Sequence, residues 1–145
     1  MQISRLALMV QKEVADKILS SPGEEGWGPL AVRCQYQCEP QRAMEVPASC
    51  FTPPPKVDST FILLPVRPEP AVKVKSEEMF FRTVNAAFAL RRKTLLNGLC
   101  AAFRTERGEA AGWLEAAGID PMIRGEKLTV AQLAALSDAI TTGNS

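Results

Sequence analysis

An α/β fold that gives way to an all-helical segment is what this sequence predicts, and three observations carry that expectation. The run Ile3–Val10 (ISRLALMV) is almost unbrokenly apolar and is followed at once by residues with helical spacing. Leu30–Cys38 (LAVRCQYQC) alternates apolar and polar positions. Beyond Pro70 the pattern changes to apolar residues recurring every three or four positions, punctuated by capping residues. The layout is strands and one helix up to about residue 70, then helix throughout.

Each element has a local reason. Ile3–Val10 reads as a strand buried on both faces, as in a parallel sheet. Glu13–Leu19 continues as a helix. The segment from Ser20 to Pro29 holds three glycines and two prolines and reads as a loop. In Leu30–Cys38, Leu30, Val32, Cys34, Tyr36 and Cys38 fall on one face of an expected half-buried strand. Val46–Pro47 and the run FTPPPKVDS form a stiff connector, with Pro53, Pro54 and Pro55 favouring extended polyproline II backbone. Thr60–Val66 is a further strand, and Pro65 points to an edge or a strand end. Ser76 caps a helix carrying Phe80, Val84 and Phe88. Thr94–Phe103 repeats the pattern with Leu95, Leu99 and Phe103. Glu109–Ala117 is ended by Gly118, and Thr129 with Gln132 forms a capping box before a last helix through Ile140. A boundary falls near residues 67–75, giving domains 1–70 and 71–145. With no partner visible for its opening strand, the first half reads as the trailing end of a larger α/β domain.

Composition narrows the chemistry. The 145 residues contain no histidine, which removes Ser-His-Asp and Cys-His catalysis, HExxH zinc sites and the zinc deaminases. The four cysteines form neither a redox nor a metal pattern. On a strand Cys34 and Cys38 would lie roughly 13 Å apart, too far to share a zinc ion. Without a secretory signal or a long apolar run, the expectation is a soluble, cytoplasmic protein with reduced thiols, no metal and no membrane span. The net charge of +1 conceals an uneven distribution. Ten basic and five acidic residues lie between Lys56 and Arg107, a local excess that suits either a solvated face or an anionic partner such as nucleic acid.

The segment Val46–Ser59 (VPASCFTPPPKVDS) is the most specific feature. An aromatic residue before a stiff proline run is presented at a restricted angle, which suits Phe51 to stacking on a nucleobase, with Lys56 available to a phosphate. From spacing alone Phe51 could equally pack in a core, and the prolines could be a ligand for an SH3-type domain. Arg91, Arg92 and Lys93, at the junction of two helices, suit phosphate contact or a plain exposed turn.

Several segments in order resemble the dimethyladenosine transferases, the bacterial small-subunit (16S) rRNA adenine N6,N6-dimethyltransferases. FTPPPKVDS resembles their F-x-P-P-P-K-V-D-S motif. MVQKEVADKI, GWGPLAVRCQYQCEP, AAFALRRKTLLNGL and GIDPMIRGEKLTVAQLAAL are similar to four further family motifs. The resemblance implies a class I, S-adenosylmethionine-dependent methyltransferase whose Rossmann-like sheet precedes a small helical domain that docks small-subunit rRNA. It implies that Phe51 stacks on the flipped-out target adenine, and that Lys56, Arg91, Arg92 and Lys93 contact RNA. The family's Gly-rich cofactor loop and its N-L-P-Y-type tetrapeptide have no counterpart here; Asn85, Asn97 and Asn144 are the only asparagines. The expectation is therefore the C-terminal half of such an enzyme, inactive alone and with no cofactor site evident. The alternative is a stand-alone, non-catalytic RNA- or ribosome-binding module.

Overall fold

The structure, a computed structural model, describes residues 5–89 and 93–143. Its contacts divide the chain into two compact units, residues 1–21 with 25–71, and residues 22–24 with 72–145.

The first unit is a three-stranded sheet with two helices. Its elements are β1 (Arg5–Gln11), α1 (Lys12–Ile18), α2 (Pro29–Gln37), β2 (Gln41–Val46) and β3 (Ser59–Pro65). The strand order is β1-β3-β2, and both pairings are antiparallel. The opening strand, expected to have no partner in this chain, has one: β1 runs antiparallel to β3, with Leu8 opposite Ile62 and Leu6 opposite Leu64. β3 is the central strand, its burial alternating along the whole length. Pro65 is its last residue, where a missing N–H costs the ladder least. α1 and α2 cover one face and enclose a core of Ala15, Ile18, Cys38, Ile62 and Leu64.

The strand expected at Leu30–Cys38 is a helix. Pro29 occupies its first turn, where its lack of an N–H costs nothing. Ala31, Val32 and Tyr36 are buried at helical spacing, whereas Leu30, an inward position of the expected strand, is exposed. Gln35, which the alternation places on the solvent face, turns inward. Its Nε2 donates to the carbonyls of Ile18 at 3.0 Å and Ser20 at 2.8 Å, serving orphan acceptors at the end of α1. The thiols of Cys34 and Cys38 are consequently one helical turn apart rather than spread along a strand, with the Cys38 N–H donating to the Cys34 carbonyl at 2.8 Å. Even so, among the described residues no group of three or more His, Cys, Asp or Glu is placed to hold a metal ion. β2 lies in a stretch that periodicity left unassigned. Its first five residues are exposed, and a register shift between Arg42 and Met44 interrupts the alternation.

The second unit follows the sequence expectation closely. α3 (Glu77–Ala89), α4 (Leu95–Phe103), α5 (Arg107–Ala117) and α6 (Val130–Gly143) pack with Phe80, Val84, Leu95, Leu99, Leu114, Leu133, Leu136 and Ile140 buried. Ser76 Oγ accepts from the Met79 N–H at 3.1 Å, and Thr94 Oγ1 from the Asn97 N–H at 3.4 Å. Thr129 and Gln132 exchange side chain–backbone hydrogen bonds of 3.1 and 3.0 Å, a complete capping box. Gly118, at φ +72°, closes α5 in the left-handed conformation. Among the described residues no helix is long and apolar enough to cross a membrane.

Candidate nucleic-acid interface

The connection from β2 to β3 carries Phe51 and Lys56. After Pro47 the chain makes one short 3-10 turn, Ala48–Cys50, with Cys50 N–H bonded to Pro47 O at 3.0 Å and Phe51 N–H to Ala48 O at 3.1 Å. Phe51 leaves this turn in extended backbone, and a cis Thr52–Pro53 bond leads into the proline run. Asp58 ties the two ends together. Its Oδ1 accepts from the Ala48 N–H at 2.8 Å, and its carbonyl accepts from the Lys12 N–H at 2.9 Å. The loop is therefore fastened both to its own start and to the first turn of α1. Phe51 is half-buried and stands outside the core cluster of this unit; Lys56 is exposed. An aromatic side chain on a loop closed in this way is held with little freedom, which lowers the entropic cost of stacking on a planar ligand.

The basic residues at 91–93 divide. Arg91 and Arg92 lie outside the described residues, while Lys93 is exposed immediately before Thr94, the N-cap of α4. Phe51 and Lys56 belong to the first unit and Lys93 to the second. The fold adds Arg124, which sequence reasoning passed over. The Leu95 N–H donates to the Ile123 carbonyl at 2.8 Å, bringing the segment that holds Arg124 to the start of α4. That segment is pinned from the other side as well: a Cβ on Gly125 would stand 1.9 Å from the Ala87 carbonyl oxygen, so only glycine fits against α3. Arg124 is exposed, and its ion pair with Glu126 is long at 3.9 Å. Its sequence signal was the IRGEKL stretch, where Arg124 and Lys127 flank Glu126 and so form no run of basic charge.

The glycines of the 20–29 loop do not build a nucleotide cradle. The loop joins helix to helix rather than strand to helix, and the helix after it opens with Pro29, which has no N–H to offer a phosphate. Gly26 serves close packing instead: a Cβ there would meet Lys17 Cα at 3.1 Å. Asn97 is likewise occupied by structure, its Oδ1 accepting from Arg107 at 2.9 Å. Among the described residues, neither these glycines nor Asn97 is arranged as the cofactor loop and tetrapeptide that the sequence resemblance implies.

Residues 1–142 match the family model described as ribosomal RNA adenine dimethylase. The chain belongs to that family. It is 47% identical over 137 residues to the ribosomal RNA small subunit methyltransferase A of Pelotomaculum thermopropionicum, covering 92% of this chain and 46% of that protein. The like-named protein of Geobacillus thermodenitrificans is 43% identical over 141 residues, covering 95% and 48%. The chain thus spans about half the length of the curated relatives it matches. Among solved structures, a dimethyladenosine transferase from Plasmodium falciparum superimposes with a TM-score of 0.82 at 20% identity, over 98% of this chain and 58% of that one. The 23S rRNA methyltransferase ErmE superimposes at 0.64 with 24% identity, over 96% and 55%. These two likenesses establish a shared fold.

Proposed function

We propose that this chain is the C-terminal part of an S-adenosylmethionine-dependent rRNA adenine dimethyltransferase acting on adjacent adenines of small-subunit rRNA in the cytoplasm. In this reading residues 1–70 close a Rossmann-like methyltransferase sheet, and residues 71–145 form the helical unit that docks rRNA. The observation that carries it is Phe51: a half-buried aromatic on a loop fastened by Asp58, in a chain matched by the family model over residues 1–142. An exocyclic amine is out of reach inside a duplex, so the base must be extruded onto a platform, and Phe51 is the platform. Lys56, Arg91, Arg92, Lys93 and Arg124 contact phosphates, positioning the RNA without reading its sequence.

The methyl donor would come from the cofactor; the described residues include no glycine loop of the family's kind, and in this reading the chain alone transfers no methyl group. Titration calorimetry with S-adenosylmethionine tests this directly: no heat of binding is expected, and micromolar affinity would overturn it. For the RNA role, replacing Arg91, Arg92 and Lys93 by Ala should weaken binding to small-subunit rRNA and lower the slope of log affinity against log salt by about 3. An unchanged slope removes the assignment.

A second reading, a non-catalytic rRNA-binding module, is favoured by the same unsuitability of the glycine loop. A DNA reading frame continuous with Met1 that encodes a cofactor loop and an N-L-P-Y-type motif would decide for the enzyme.

A further inference from the structure

We propose that a pocket at the joint of α4 and α5 takes an unpaired guanosine of RNA, through a contact separate from Lys93 and Arg124. The cavity, about 350 Å³, lies wholly within residues 72–145 and is large enough for one nucleotide. Phe103 and Trp113 wall it, and Arg82, Arg104, Glu106 and Glu109 line it. The Arg82 guanidinium lies over the Phe103 ring, 4.5 Å from its centre, and Phe103 meets Trp113 edge to face at 5.6 Å. Arg82 is exposed, so the side of its guanidinium away from Phe103 is open. Arginine planes, like aromatic rings, stack on unpaired bases, and this one is already held in place. Arg104 closes α4 in the left-handed conformation at φ 51°, the only non-glycine residue with positive φ among those described. Glycine adopts that backbone without strain and a side chain does not; here the strain sets a cation at the cavity. Among the described residues neither Arg82 nor Arg104 is ion-paired. The acids differ: Glu109 accepts a hydrogen bond from Thr105 Oγ1, whereas Glu106, the N-cap of α5, makes no capping bond with its carboxylate.

This mixture of groups selects the ligand. A bare anion meets Glu106 and Glu109, a bare cation meets Arg82 and Arg104, and an apolar molecule would strip water from all four charges. A nucleotide brings a planar base to Arg82, a phosphate to Arg104 and base-edge donors to Glu106. Guanine offers two adjacent N–H donors, at N1 and N2, to one carboxylate. Adenine and cytosine set an amino group beside a ring nitrogen that repels it, and uracil sets its one N–H between two carbonyls. The inference rests on the proposed reading of residues 71–145 as the rRNA-docking unit, and adds a pocket and the base that it takes.

The test is calorimetry on the whole chain with the RNA oligomers UUGUU and UUAUU at fixed salt. UUGUU should bind about tenfold tighter, the discrimination expected of a paired contact to one base edge. Glu106→Ala should erase that preference with no loss of affinity for UUAUU. Arg82→Lys keeps the charge but loses the stacking plane, and should weaken both oligomers about tenfold. Arg104→Gly suits the left-handed backbone and should lower the slope of log affinity against log salt by about 0.7. All three variants change exposed side chains, and circular dichroism should show their helices intact. Equal binding of the two oligomers by the unaltered chain overturns the proposal whatever the variants do. So does a preference that survives Glu106→Ala, or an affinity indifferent to Arg82→Lys. Guanosine 5′-monophosphate binding as tightly as UUGUU would assign the pocket to a free nucleotide and overturn the RNA assignment. A chain that ignores the guanosine but loses rRNA affinity on replacement of Arg91, Arg92 and Lys93 keeps the docking reading and removes the pocket. A guanosine preference beside an unchanged salt slope in that triple variant does the reverse.

Discussion

Asp58 shows how much a single residue of the FTPPPKVDS run contributes apart from stacking. Its carboxylate closes the Phe51 loop onto Ala48, and its carbonyl ties the same loop to α1. Asp58→Ala should leave both the sheet and Phe51 present but slacken the loop, at a cost of about 1–2 kcal/mol in urea unfolding. Amide exchange at Ala48 should accelerate more than exchange in β3. Arg67 has a comparable role on the other side of the unit. Its Nε donates to the carbonyls of Gln35 at 3.1 Å and Cys38 at 3.0 Å, placing a cation at the C-terminal end of α2. The thiols of Cys34 and Cys38 titrate high. Burial is the main cause for both; Cys38 adds to the shift of Cys34, while Arg67 opposes that of Cys38. The sign follows from which state loses its protons first. Below the ordinary thiol pKa of about 8.5 both states keep them, and stability is at its full value. As pH rises from there through the raised folded values, the unfolded chain ionises first and stability falls. Urea midpoints across pH 7–10 should decline, and a Cys34→Ser/Cys38→Ser variant should decline less. Alkylation should reach exposed Cys50 well before buried Cys38.

At the scale of elements, the helical unit depends on contacts that can be removed one at a time. Thr129→Ala removes the Oγ1 that accepts from the Gln132 N–H while keeping the backbone N–H that donates to Gln132 Oε1, and should destabilise the protein by about 1 kcal/mol in thermal or urea unfolding. Gly125→Ala is a harsher change, because its Cβ cannot share space with the Ala87 carbonyl. Either the 123–128 segment moves off α3 or α3 bends, at a cost of about 2–4 kcal/mol, with exchange accelerating across residues 123–128. An unperturbed melting curve for Gly125→Ala would show that the segment is not pinned there. Phe103 and Trp113 meet edge to face at 5.6 Å, and the Arg82 guanidinium lies 4.5 Å from the Phe103 ring centre, so α3, α4 and α5 also share an aromatic contact.

On the scale of the whole molecule, the two units differ in how self-sufficient they are. The helical unit has capped helices and a continuous set of buried Leu, Phe and Ile. Among the described residues, the sheet unit leaves Leu6, Leu8, Met9 and Met44 exposed beside an unpaired edge. Purified chain should therefore self-associate as concentration rises, while Leu8→Glu/Met9→Glu stays monomeric in light scattering. Slow hydrogen exchange across Leu6–Val10 in a monomer would show that this edge needs no partner.

The sequence by itself determined the helical half, the β1–α1 and β3 elements and the family. Ser76, Thr94, Gly118 and the Thr129–Gln132 box act on backbone groups within four residues, so their meaning is readable locally. Phe51 and Lys56 were legible as candidates because they sit in one short motif. Only the tertiary structure decided that Leu30–Cys38 is a helix. Its alternation satisfies a strand, and its inward Gln35 makes sense only with the end of α1 in place, seventeen residues away. It also decided the existence of β2, whose exposed residues carry no period, the antiparallel pairing of β1, and the placing of Arg124 beside the start of α4. Each of these depends on a hydrogen bond or a ladder between residues far apart in the chain, and period and capping cannot register such partners.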